Sequence, residues 1–340
     1  MTVVVGVRAG ESCYEVHVGH GAVEALGDLL PDGVRRAAVV TQAGIGIDVD
    51  PGVEHRTFTI PEGEGAKSLS VVEQLAGALS DWGLTRADVV IGVGGGVVTD
   101  VAGFTAAIYH RGLPSVYVAT TLLGQIDAAI GGKTGVNLPQ GKNLVGAFCQ
   151  PHGVVCDTDH LRSLPGRELR SGLGELAKYH FLGGEQLADL PMDERVAACV
   201  RLKAQVVATD ERDSGHRAVL NYGHTLAHAL EVEGRFDLRH GEAVAVGLVY
   251  AAEVARKLGR IDEGRVAEHR RVVASYDLPA TIEPSVDPAR LVELMGRDKK
   301  AVSGLTMVLD GPAGVEPVAG LEPELLRAAV GDVTRGRGHA

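Results

Sequence analysis

The chain has 340 residues, enough for two domains, and 45% of them are hydrophobic, enough for sizeable buried cores. A formal net charge of −11, with 4% aromatic residues and no basic stripe, argues against a nucleic-acid partner and leaves small anions as the better match for its isolated lysines. No uncharged apolar run reaches the roughly 18–20 residues that span a bilayer, so no membrane partner is expected.

Along the first 150 residues, short β-rich runs alternate with helical patterns. Residues 3–7 and 14–18 read as strands that can pair as a hairpin. Further strands are expected at 37–41, 56–60, 89–93 and 115–119, with helices at 68–82 and 99–109. Such alternation predicts an α/β fold with a Rossmann-like parallel sheet flanked by helices. Unbroken apolar runs such as Val89, Val90 and Ile91 suit a sheet covered on both faces. Beyond residue 160 the apolar period becomes helical, as in Leu169, Leu173 and Leu176, or Val196, Val200 and Val207. The expected organisation is an N-terminal domain over 1–155, a mainly α-helical metal- and substrate-binding domain over 156–330, and a frayed tail over 331–340. Four cysteines without CxxC spacing suggest reduced thiols, and the N-terminus lacks a signal-peptide pattern; a cytoplasmic location is expected.

Three blocks carry chemistry. The first, Gly94-Gly95-Gly96-Val97-Val98-Thr99-Asp100, follows a strand and opens a helix. Glycines there let a backbone approach a pyrophosphate, and the helix N-terminus favours its charge, although a plain strand-to-helix turn has the same composition. In the second, Lys133 and Lys142 sit in polar segments rich in Gly, Asn and Thr that read as loops and suit a phosphate or carboxylate. The third combines Glu175 and Lys178, three apart on a helical segment, with His224 and His228, four apart, and with His240. One carboxylate and two imidazoles are a common catalytic ligand set for Zn²⁺ with a position left open. The spacing leaves His228 and His240 as alternatives for the third ligand. Arg217, seven residues before His224, would share its helix face; the bland alternative is a surface ion pair with Asp213.

Taken together, residues 94–100, 120–123, 127–137, 141–146, 171–178, 221–228 and 240–246, with Asp298-Lys299-Lys300, resemble 3-dehydroquinate synthase and its sugar-phosphate cyclase relatives over roughly residues 5–320. That resemblance implies a carbon–oxygen lyase of the shikimate pathway. It would oxidise 3-deoxy-D-arabino-heptulosonate 7-phosphate with NAD, eliminate phosphate, reduce the product again and close the ring by an aldol step to 3-dehydroquinate. It implies one divalent ion, Zn²⁺ or Co²⁺, on Glu175, His224 and His240, with His228 as a proton shuttle and Lys178 stabilising enolate charge. Lys133, Asn143, Lys203, Arg217, Asn221 and Lys300, with Asp127 beside them, match the family's substrate positions. Arg111 matches a residue that reaches the phosphate from a neighbouring subunit, which implies a homodimer. NAD-binding positions fall on Glu62, Gly63, Glu64, Gly65, Ala66, Lys67, Gly96, Val97, Val98, Thr99, Asp100, Thr120, Thr121, Lys133, Lys142, His160, Leu161, Arg162 and Ser163.

Two departures from the family pattern stand out. Residues 42–53 form a short Gly/Asp/Pro segment where the family usually has a helix, and Tyr179-His180 replaces a small residue. Both leave room for the aminodehydroquinate synthase branch of antibiotic biosynthesis, whose substrate carries nitrogen in place of one oxygen. A polyol dehydrogenase of the same architecture would release NADH, and the lysine blocks argue against it. A non-catalytic descendant would have no need of every named metal and lysine position.

Overall fold

The computed structural model describes residues 2–184, 187–234, 238–283, 285–297 and 305–334. The chain divides into two compact units, one comprising residues up to 165 together with 190–212, the other comprising 166–189 and everything from 213 onward.

The first unit is built on a seven-stranded sheet. Its strands are β1 (Val3–Ala9), β2 (Ser12–Gly19), β3 (Arg36–Gln42), β4 (Glu54–Ile60), β5 (Val89–Gly94), β6 (Ser115–Ala119) and β9 (Gly153–Asp157), in the order β1-β2-β9-β6-β5-β3-β4. Only the β1–β2 hairpin is antiparallel; all other pairings are parallel. Alternation along β3 divides the core. Ala38 and Val40 join Leu75, Leu79, Val98 and Val101 of helices α1 (Leu69–Asp81) and α2 (Gly96–Ile108) on one face. Ala37 and Val39 join Leu26 and Leu29 on the other. Strands β5, β6 and β9 are buried throughout, which explains their unbroken apolar sequence. Between β3 and β4 there is no helix; Val49 is buried there and Ile45, Ile47 and Val53 pack on the two cores.

Strand β9 was not anticipated, and neither were two further strands of this unit. The hairpin β7 (Lys133–Leu138) and β8 (Gly141–Phe148) carries Lys133 and Lys142 on its strands, so neither lies in a loop. Gly, Asn and Lys are poor strand formers, and the pairing rests on close backbone contact: a Cβ on Gly146 would stand 2.2 Å from the Thr134 carbonyl oxygen. Helix α4 (Met192–Thr209) completes this unit by packing on β1 and β2.

In the second unit, α6 (His240–Lys257) is buried from Gly241 to Ala255. Around it pack α3 (Gly166–Phe181), α5 (His224–Glu233), α7 (Glu263–Ser275) and α9 (Pro323–Thr334). Helix α8 (Pro288–Arg297) packs on α5, and β10 (Leu305–Leu309) pairs with β11 (Glu316–Leu321). Among the described residues, no helix is long and apolar enough to cross a membrane.

Candidate active site

Within the second unit, three backbone-to-backbone contacts bring the proposed ligands together. A Cβ on Gly241 would stand 1.7 Å from the Ser171 carbonyl oxygen, and one on Gly174 would stand 2.0 Å from that of Gly241. Only glycine permits such an approach, so α3 and the start of α6 touch one turn from Glu175 and beside His240. Ser171 Oγ accepts from Gly241 N at 3.2 Å. Likewise Gly247 of α6 lies against Gly223, the residue before His224.

As a result, donor atoms of Glu175, His224 and His240 all lie within 4.8 Å of one another. Glu175 Oε1 is 3.3 Å from His224 Nε2 and 3.2 Å from His240 Nε2. On the far side of each ring, Nδ1 has its own acceptor: the Tyr222 carbonyl at 3.2 Å for His224 and Glu231 Oε1 at 3.4 Å for His240. Rings that donate Nδ1–H outward present Nε2 inward, and its lone pair, once free of any proton, is what a divalent ion requires. The residues therefore fit a three-ligand metal centre. His228 stands beside it, its ring 5.6 Å from that of His224 and 6.3 Å from that of His240. Lys178 is fully buried, with Nζ 2.5 Å from Glu175 Oε2.

The electrostatics follow from this packing. Burial pushes the Glu175 carboxyl up, but Lys178 and His224 outweigh it and hold the group well below the usual carboxylate range. Burial lowers His224 against the pull of Glu175. It also opposes charge on His240, yet hydrogen bonding to Glu175 and Glu231 prevails and raises that imidazole to about 10.

Arg217 and Asn221 lie on a 3-10 turn (His216–Asn221), which Tyr222 and Gly223 separate from α5. Arg217 thus does not continue the helix of His224, and it is buried. A glycine at φ 83° breaks the helical period that the seven-residue spacing assumed. Lys300, with Asp298 and Lys299, lies outside the described residues.

In the first unit, β5 ends at Gly94 and α2 begins at Gly96. A Cβ on Gly94 would meet Val98 Cγ2 at 2.4 Å, and one on Gly95 would meet Thr121 Cγ2 at 2.9 Å. Gly95 caps α2 without a side-chain hydrogen bond, which leaves the first-turn amides to an anion. Beside this turn, the Thr120 amide donates to the Gly94 carbonyl at 3.0 Å. Lys67 Nζ, almost fully buried, reaches Asp100 Oδ2 and Asn143 Oδ1, each at 2.6 Å, and Glu64 Oε1 at 3.8 Å. Burial raises the Asp100 carboxyl to about 6 despite Lys67. These features fit a dinucleotide whose pyrophosphate rests on α2. Glu62, Gly63 and Gly65 are exposed nearby in sequence, and Ala66 is buried. Leu161 is buried, Arg162 and Ser163 are exposed, and burial lowers His160. Lys203 of α4 contacts both the carbonyl and the carboxylate of Asp127, which sits in a π-turn (Gly124–Ala128). Lys133, Lys142 and Arg111 are exposed, and Arg111 has a left-handed backbone at φ 68°.

Residues 57–171 match the family described as 3-dehydroquinate synthase N-terminal, and residues 172–301 match its C-terminal counterpart. The chain belongs to the 3-dehydroquinate synthase family. It is 52% identical over 320 residues to a "Putative aminodehydroquinate synthase" of Amycolatopsis mediterranei, covering 94% of this chain and 91% of that one. It is 41% identical over 357 residues to the 3-dehydroquinate synthase of Mycolicibacterium gilvum, covering 98% and 99%. The fold is that of a 2-deoxy-scyllo-inosose synthase solved with carbaglucose-6-phosphate, NAD⁺ and Co²⁺, at a TM-score of 0.84, 24% identity and coverage of 96% and 99%. The expected family and fold class thus hold.

Glu231 was missed by sequence reasoning. Its position seven residues after His224, two turns along one helix face, was a usable signal.

Proposed function

We propose that this chain is a carbon–oxygen lyase that converts a 3-deoxy-heptulosonate 7-phosphate to a carbocycle, with 3-dehydroquinate as the product of the oxygen substrate. The observation that carries this reading is the convergence of Glu175, His224 and His240 beside the buried Lys178 in a chain of this family. When bound, NAD takes and returns a hydride, and Zn²⁺ or Co²⁺ acidifies the alcohol whose oxidation begins the cycle.

The chain's own side chains supply the rest. Glu175, His224 and His240 hold the ion. Lys178 places a fixed positive charge where elimination builds enolate character. His228, at the rim of the centre, moves the hydroxyl proton. In the first unit, the amides of Gly96 and Val97 with Thr99, Asp100, Thr120 and Thr121 orient the dinucleotide. Lys133, Asn143 and Lys203 take the substrate's anionic groups, with Asp127 setting the position of Lys203. Arg217, Asn221 and Lys300 complete the substrate contacts. Arg111, exposed and held in a left-handed conformation, serves a partner subunit in a homodimer.

A second reading, the amino analogue as substrate, is favoured by the higher identity to the Amycolatopsis protein, 52% against 41%. The 42–53 segment without a helix is compatible with either. Steady-state assay of the purified chain with both heptulosonate phosphates decides between them. A kcat/KM higher for the oxygen substrate supports 3-dehydroquinate synthase, and the reverse order supports the amino branch. Failure to release phosphate from either would reject the proposal.

A further inference from the structure

Glu231 belongs to none of the motifs that carry the family resemblance. It stands on α5, two turns beyond His224 on the same helix face. Its Oε1 lies 3.4 Å from His240 Nδ1, while Nε2 of that ring lies 3.2 Å from Glu175 Oε1. The imidazole is therefore held between two carboxylates, one at each nitrogen. His224 is held in the same sense by a neutral acceptor, the Tyr222 carbonyl. The Glu231 side chain keeps only 18% of its accessibility, so its charge is poorly screened and is directed at the ring.

We infer that Glu231 is a positioning residue for the metal centre. By accepting from His240 Nδ1 it fixes the tautomer and orientation of that ring, and its negative charge makes Nε2 a stronger donor toward a divalent cation. The inference rests on the metal-binding reading of Glu175, His224 and His240. A plain alternative is that the carboxylate only ties α5 to the start of α6. The two roles differ in what they control: the tie affects the fold, whereas positioning affects the cation.

The test uses the full chain, freed of metal and titrated with Co²⁺ alone. Affinity is read by competition with a chromophoric chelator, ligand geometry by the visible Co²⁺ absorption, and fold integrity by the melting temperature of the metal-free protein. Glu231→Ala is expected to weaken Co²⁺ binding by about 10–100-fold and to shift the visible bands, the usual scale for losing such a partner. Glu231→Gln retains an acceptor but no charge, so it is expected to fall between wild type and the alanine variant while melting close to wild type. Affinity and spectrum in Glu231→Gln indistinguishable from wild type overturn the inference, and this holds even if the alanine variant fails to fold. Absence of Co²⁺ binding by the wild-type chain is a different result: it removes the metal reading itself, and the inference with it.

Discussion

Gly247 presses so closely on Gly223 that a Cβ at 247 would stand 1.9 Å from the Gly223 carbonyl oxygen. Gly223 in turn has φ 83° and precedes His224 at the start of α5. The contact therefore sets where one metal ligand begins. Gly247→Ala should push the start of α5 away, destabilise the chain by about 1–3 kcal/mol as overpacking does, and weaken Co²⁺ binding by at least about tenfold. Gly77→Ala in α1, where an added Cβ meets nothing within 4 Å, should instead stabilise by about 0.5–1 kcal/mol. Denaturant midpoints and Co²⁺ titration of the two variants check this; equal behaviour would remove the argument from close approach.

Metal binding should release a proton. His240, raised to about 10 by Glu175 and Glu231 against the effect of burial, is protonated at neutral pH in the metal-free chain, and Nε2 must lose that proton to become a ligand. The sign follows: below that value apparent affinity rises with pH, by roughly tenfold per unit for one displaced proton. Calorimetry in buffers of different ionisation heat should report about one proton per ion. Zero protons would show that His240 Nε2 carries no proton for the ion to displace.

His269 of α7 gives a second pH effect, on stability. It is fully buried, stacked on Phe181 at 3.7 Å, and takes the Tyr222 hydroxyl at Nε2 at 2.7 Å while Nδ1 donates to the Arg265 carbonyl at 2.8 Å. Burial lowers it to about 4 from an ordinary 6.5. A depressed folded value means stability that is complete above pH 6.5 and is lost as pH falls toward 4, on the order of 3 kcal/mol in all. His269→Gln should unfold more easily than wild type at pH 7.5, with that gap narrowing at pH 5. Parallel midpoints at the two pH values would contradict it.

Much of this was legible in the sequence because period and composition carry it. The strands at 37–41, 56–60, 89–93 and 115–119 reappear as β3 to β6, because β3, β5 and β6 bury side chains on both faces while β4, at the sheet edge, buries Phe58 and Ile60 on one. The ligand triplet followed from the family pattern rather than from spacing, which left His228 and His240 open; the glycine contacts that bring His240 in are tertiary and leave no periodic trace. Local propensity concealed the β7–β8 hairpin, where glycines serve close approach rather than turns. Arg217 was placed on a helix because a seven-residue spacing cannot register the left-handed glycine at 223.

Assembly is tested by mixing. If Arg111 serves the partner's site, inactive Arg111→Ala and inactive His240→Ala chains should regain activity on subunit exchange, since each mixed dimer has one intact site. Random pairing gives about half mixed dimers, hence about one quarter of wild-type activity per chain. Confirmed exchange without recovery would place Arg111 within its own subunit or outside the reaction.

The central claim is a reaction that uses NAD without consuming it. The direct measurement follows phosphate release and 340 nm absorbance together, with metal-loaded protein, a heptulosonate 7-phosphate and NAD at a small fraction of substrate. Many phosphates should be released per NAD present, with no net NADH at the end. NADH accumulating in step with substrate loss, or phosphate release that continues unchanged without NAD, would contradict it.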